Sequence, residues 1–154
     1  MSKTVHDFKV GDQWVTAGRT VTEAHVVAFA GITGDFHPLH TDEVYSSQGM
    51  FGTRIAHGPL VYAMAVGLVS QSEVFGGAVL AFLGVDNLRH LKPCFLGSTI
   101  HVEVSVRDAR LTSNSDRGIC TFVYEVVDSA GEKILTADMK FLLRVTPITA
   151  EVHS

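Results

Sequence analysis

Cysteine is nearly absent: Cys94 and Cys120 are the only two among 154 residues, and they lack CxxC spacing. That excludes a disulfide framework and leaves both as buried small apolar residues, in a protein expected in the cytoplasm. No run of like charges and no Pro- or Ser-rich tract occurs, so disorder and linkers are excluded as well. Positive charge is scarce too. Lys and Arg number 12 against 16 Asp and Glu, for a net charge of -4, and they are scattered, which argues against a nucleic-acid partner. The most apolar stretch, residues 59–69 (PLVYAMAVGLV), is about half of the ~20 residues that a bilayer span needs, so no membrane is implied. The first seven residues offer no signal-peptide core and the last four no lipidation signal, so export is not expected.

What is present is a chain that is 46% hydrophobic and 18% charged. Its length fits one domain over 1–154, large enough to bury about 70% of its unfolded surface. Residues 59–69 leave no polar stripe, and their alanines and methionine favour helix over strand. Gly58-Pro59 starts that helix, because proline at the first position gives up only an unpaired N–H, and it ends near Gln71 or Ser72. Upstream, Thr20-Val-Thr-Glu23 has capping-box spacing before a helix from about Thr22 to Thr33, closed by Gly34. Pro38 keeps His37 out of the helical region, and Thr41 or Asp42 caps a short helix toward Ser47. Asp35 to His40 is therefore read as a tight loop between helices.

Downstream the period becomes two. Ile100, Val102, Val104 and Val106 alternate with polar residues, as do Leu135, Ala137, Met139, Phe141, Leu143 and Val145. Residues 79–91 and 119–127 are also strand-like, with turn residues at 114–118 and 128–131. Short connections after residue 107 make those strands antiparallel neighbours. About four long strands and one all-apolar helix predict an α+β fold, a curved antiparallel sheet wrapped around that helix.

Asp35, His37, His40 and Asp42 fall within eight positions, and His57 sits just before the central helix. Two readings fit this crowd. The polar side chains do no more than cap helices and stitch the turn, or an Asp/His pair on a proline-stiffened loop grips one water and moves its protons. Spacing alone leaves both open.

The residues Ile32-Thr-Gly-Asp-Phe-His-Pro-Leu-His40, then Ser46, Phe51-Gly52 and Ile55-Ala-His-Gly58, closely resemble the signature of the MaoC-like dehydratases, the (R)-specific enoyl-CoA hydratase family. Leu88-Arg-His-Leu-Lys-Pro93 with Gly97-Ser-Thr-Ile100 is similar to that family's strand, proline turn, strand passage. The resemblance implies a hot dog fold, paired into a homodimer or a multiple of it. It makes Asp35 and His40 the catalytic pair that positions water for addition to a trans-2-enoyl thioester. The product is then an (R)-3-hydroxyacyl-CoA, or the reaction runs in reverse as dehydration. Gly58 matches the glycine whose N–H receives the thioester oxygen, a role suited to the positive end of a helix. No cofactor is implied. Two residues depart from the pattern: His37 stands where asparagine is usual, and Pro59 where methionine is frequent. His57 matches a histidine of the motif and is read as a packing or hydrogen-bonding residue. Arg54, Arg89 and Lys92 are the cations proposed for the pyrophosphate of CoA, and an acyl carrier protein remains open as the alternative carrier.

Three other readings compete. A metal held by His37, His40, His57 and the aspartates lacks a recognised zinc spacing, and Pro38 stops His37 and His40 sharing a helix face, so no metal is expected. A hot dog thioesterase is allowed because fold does not decide function. A non-catalytic acyl-CoA-binding subunit is the third.

Overall fold

In the computed structural model, which describes residues 2–148, the chain opens with a 3-10 turn over Val5–Asp7 and two short strands, β1 (Gln13–Val15) and β2 (Arg19–Thr20). Four helices follow: α1 (Glu23–Thr33), α2 (Pro38–Thr41), α3 (Glu43–Ser47) and α4 (Gly58–Ser70). Four long strands complete it: β3 (Val79–His90), β4 (Thr99–Leu111), β5 (Arg117–Asp128) and β6 (Lys133–Arg144). All pairings are antiparallel in the order β1-β4-β5-β6-β3, with β2 also on β4, so β3 forms one edge. The C-terminal residues 149–154, on which the lipidation reading fell, lie outside the described residues.

The alternation read from the sequence is the burial pattern of the sheet. Ile100, Val102, Val104 and Val106 of β4 and Leu135, Ala137, Met139, Phe141 and Leu143 of β6 are all buried. Helix α4 lies against that face through Leu60, Val61, Met64, Ala65, Leu68 and Val69, which repeat at helical spacing. Its composition predicts a helix enclosed all round, and the structure corrects this. Pro59 and Ala63 are exposed and Tyr62 and Val66 only half-buried, because a sheet on one side covers one face. Cys94 and Cys120 are both in the core, where burial pushes their thiols up to about 11 and about 12, so they stay protonated and inert.

Three local expectations are corrected. The cap of α1 is Thr22, whose N–H donates to His25 Nδ1 at 3.1 Å. Thr20 belongs to β2 and bonds Thr99, while Glu23 goes to Arg54 instead. The segment from Asp35 to His40 is not all loop: Pro38 at the first position and His37 as cap start the one-turn helix α2, which carries His40. Beyond the four long strands expected, the sheet gains β1 and β2, which are too short to show a period and exist by pairing with β4.

Candidate active site

The site grows from three helix starts. Gly34, at φ 79°, closes α1 in the left-handed conformation and turns the chain into Asp35. The carboxylate of Asp35 accepts from the His37 N–H at 3.3 Å, a weak bond that leaves it exposed. His37 in turn caps α2: its Nδ1 accepts from the Leu39 N–H at 3.1 Å. Asp42 caps α3 by accepting from the Tyr45 N–H, and the buried Ser46 hydroxyl donates to the carbonyls of Pro38 and Leu39. The serine of the motif thus fastens α3 to the turn that carries His40.

His40 is half-buried, and its Nδ1 donates to the Ile55 carbonyl at 2.7 Å. A carbonyl only accepts, so the proton sits on Nδ1 and the lone pair of a neutral ring on Nε2. Burial lowers the pKa of His40 below its ordinary 6.5, and the hydrogen bond to Ile55 only partly opposes this. Beneath it lies His57, fully buried, the two rings stacked with centroids 3.9 Å apart. His57 Nε2 donates to the main-chain carbonyl of Asp35 at 2.9 Å, fixing the backbone that carries the carboxylate. One donor atom from each of Asp35, His40 and His57 lies within 4.8 Å of the other two.

The hydrogen bonds decide which atoms of this trio keep a lone pair. With Nε2 of His57 and Nδ1 of His40 protonated and donating to carbonyls, the lone pairs left are His40 Nε2, the Asp35 carboxylate and His57 Nδ1, which is buried and makes no hydrogen bond among the described residues. His37 Nδ1 is engaged in its cap. His40 Nε2 and the exposed Asp35 carboxylate are both acceptors, which suits holding a water by its hydrogens.

Gly58 is the first residue of α4, so its N–H belongs to the unpaired donors of a helix start and to the positive end of the dipole. It lines a cavity of about 480 Å³ together with His40, Met50, Phe51, Val61 and His90. His90 was not singled out from the sequence. Nothing near residue 90 announces that its ring meets Gly58, 32 positions away; the only signal was a titratable residue ending a strand inside the family-like passage.

The three proposed cations differ. Arg54 donates to both oxygens of Glu23 at 2.8 Å and to Glu43 at 3.1 Å, so its charge is compensated and it ties α3 to α1. Glu23 is held below its ordinary pKa by Arg54, and Glu43 by Thr53 and then Arg54. Lys92 stands on the cavity rim, ion-paired with Glu132. Arg89 is exposed away from the cavity lining, and its guanidinium donates to the Leu88 carbonyl at 2.9 Å.

An antiparallel sheet around one helix, with the site at that helix's start, defines a hot dog protein. A Mycobacterium tuberculosis protein described as a double hotdog fold superposes with TM-score 0.84 at 19% identity, over 96% of this chain and 46% of that one. A MaoC-like dehydratase from Rhodospirillum rubrum superposes at 0.84 with 26% identity, over 96% and 100%. An Archaeoglobus structure called a monoamine oxidase regulatory protein gives 0.88 with 35% identity, over 95% and 97%. The family model for the MaoC like domain matches residues 7–127, and the chain belongs to that family. Among curated relatives, Protein MaoC of Klebsiella aerogenes is 34% identical over 68% of this chain and 31% of its own length. The (R)-specific enoyl-CoA hydratase of Aeromonas caviae is 30% identical over 75% and 81%, and 3-hydroxyacyl-thioester dehydratase Z of M. tuberculosis 35% over 64% of each chain. The chain thus spans under a third of the first of these. Among the described residues no helix is long and apolar enough to cross a membrane.

Proposed function

We propose that this protein is a hydro-lyase that adds water across the double bond of a trans-2-enoyl thioester to give an (R)-3-hydroxyacyl thioester, or removes it in reverse. The observation that carries this reading is the pairing of two open acceptors, Asp35 and His40, with His40 lining the same largely apolar cavity as the unpaired helix N–H of Gly58. Relatives named enoyl-CoA hydratase and hydroxyacyl-thioester dehydratase support the same reaction class.

The steps follow from the donors and acceptors. A water donates one hydrogen to the Asp35 carboxylate and the other to His40 Nε2. As its oxygen bonds to C3, one of the pair takes its proton, and the C2–C3 π electrons move onto the thioester oxygen. The Gly58 N–H and the helix dipole stabilise that enolate where the charge develops. The enolate then collapses, and C2 takes the proton held by the pair. His57 keeps Asp35 and His40 in register without touching substrate. CoA or an acyl carrier protein serves as the carrier, and the working unit is a homodimer.

Incubation with crotonyl-CoA and separation of the products tests this against its competitors. The expected product is 3-hydroxybutyryl-CoA; free CoA would indicate a thioesterase, and unchanged thioester a binding protein. Asp35→Asn and His40→Gln keep size but lose proton transfer, so each lowers turnover about 10²-fold or more while the protein stays folded. Near wild-type turnover in either folded variant would refute the pair.

A further inference from the structure

His90 is the one polar side chain of the cavity that the mechanism above leaves unused and that no other described side chain engages. The other two are His40, already in the pair, and Lys92, neutralised by Glu132. His90 ends β3 at the sheet edge and is exposed, and its ring makes no hydrogen bond to the described residues. Ring atoms Cε1, Nε2 and Nδ1 stand 2.8, 3.0 and 3.1 Å from the point a β-carbon on residue 58 would occupy. The backbone at Gly58 has no positive φ, so what bears on this position is the close approach of the exposed His90 ring and not conformation. A ring over the first residue of α4 brings an imidazole N–H to the same side of the cavity as the unpaired Gly58 N–H. Around them the walls are largely apolar, Val61, Ile55 and Phe51 among them, and the ammonium of Lys92 is paired with Glu132.

We propose that His90 is a catalytic residue whose imidazole N–H donates, beside the Gly58 N–H, to the thioester carbonyl oxygen. This rests on the hydro-lyase reading. No proton is transferred: the oxygen gains charge as C3 takes the water, two donors share it instead of one, and the proton for C2 still comes from the Asp35/His40 pair. An oxygen held by two donors is also fixed in direction, which sets C3 relative to the water.

The test compares the wild type with His90→Phe and His90→Ala, which lack the donor with and without ring bulk, and His90→Gln, which keeps a donor. Because the side chain is exposed, all three are expected to fold, as thermal unfolding would verify. Two readouts are taken: kcat/KM for crotonyl-CoA, and the ultraviolet enolate band of bound acetoacetyl-CoA, which reports the same oxyanion without turnover. Loss of one such donor lowers turnover about tenfold to 10²-fold at a site partly open to water. The expected result is that loss in His90→Phe and His90→Ala, with a weakened enolate band, and recovery of most of both in His90→Gln. Wild-type values in His90→Phe would overturn the proposal while leaving the hydro-lyase reading intact, and an equal loss in all three variants would overturn the donor role. A wild type that neither hydrates crotonyl-CoA nor enolises acetoacetyl-CoA would overturn both.

Discussion

At the scale of single residues, the protonation state of His40 decides whether the proposed pair can act. Its lone pair on Nε2 exists only in the neutral ring, and burial holds its pKa below 6.5, with His57 and His37 adding to the lowering and Asp35 opposing it. The neutral form therefore persists through neutral pH and is lost only on further acidification. The expected kcat/KM profile is flat near pH 7 and falls on the acid side with a midpoint below 6.5; a midpoint above that would contradict the geometry. His37, which departs from the family pattern, can be placed in the same way. Its Nδ1 already accepts from the Leu39 N–H, so it does the capping work that an asparagine oxygen does. A ring charged on both nitrogens has no lone pair for this cap, which weighs against a cationic role toward a carboxylated acyl group. His37→Asn is accordingly expected to keep the ratio of rates on plain and carboxylated enoyl-CoAs, and its pH profile, within about twofold, since the cap is conserved. A selective loss on the carboxylated substrate would instead make His37 a specificity residue.

At the scale of elements, legibility followed length and locality. β4 and β6 announced themselves because each buries every second residue along most of its length. α4 was legible because proline at its start and its apolar density leave little else it could be. The three-residue β1 and two-residue β2 carry no period at all. Asp35, His40 and Gly58 could be picked out because their motif is local, whereas the contacts of His90 with Gly58 and of Arg54 with Glu23 join segments far apart in sequence. Another such contact sets the N-terminal turn. Val5 is buried against β5 over Gly118, where a β-carbon would come within 2.3 to 2.8 Å of the Val5 side chain, its own β-carbon included. Gly118→Ala must therefore push the 3-10 turn off the sheet, and overpacking of this kind costs roughly 1–3 kcal/mol. The melting temperature should fall by about 2–4 °C per kcal/mol for a chain of this size. Val5→Ala combined with Gly118→Ala should recover part of the loss, because it removes the methyl groups that collide. An unchanged Tm in the single variant would show that the turn does not need that contact.

At the scale of the whole molecule, the chain leaves one side unfinished. Among the described residues β3 has a neighbour only in β6, and its first half, Val79–Gly84, carries no charge while Leu80, Phe82 and Leu83 are 46%, 51% and 49% exposed. Natural edge strands are usually blunted by charge or by bulges; here the charge sits in the second half, at Asp86 and Arg89, while register shifts occur in both halves, at Val79/Ala81, Phe82/Gly84 and Asp86/Arg89. The open face of α4, with Pro59 and Ala63 exposed, adds to the uncovered apolar surface. A second copy related by a two-fold axis would pair the uncharged half of β3 with itself, antiparallel, and satisfy its free backbone groups. Light scattering on the eluting protein should therefore give twice the 16.6 kDa of the chain, or a multiple of that value. Leu80→Lys with Leu83→Lys places like charges across the axis and should shift the mass toward one chain. Because His90 ends the same strand, the dissociated variant should also lose hydratase activity, more than either lysine alone would explain through stability. An active wild-type monomer at assay concentration would contradict the pairing and return the exposed edge of β3 to solvent.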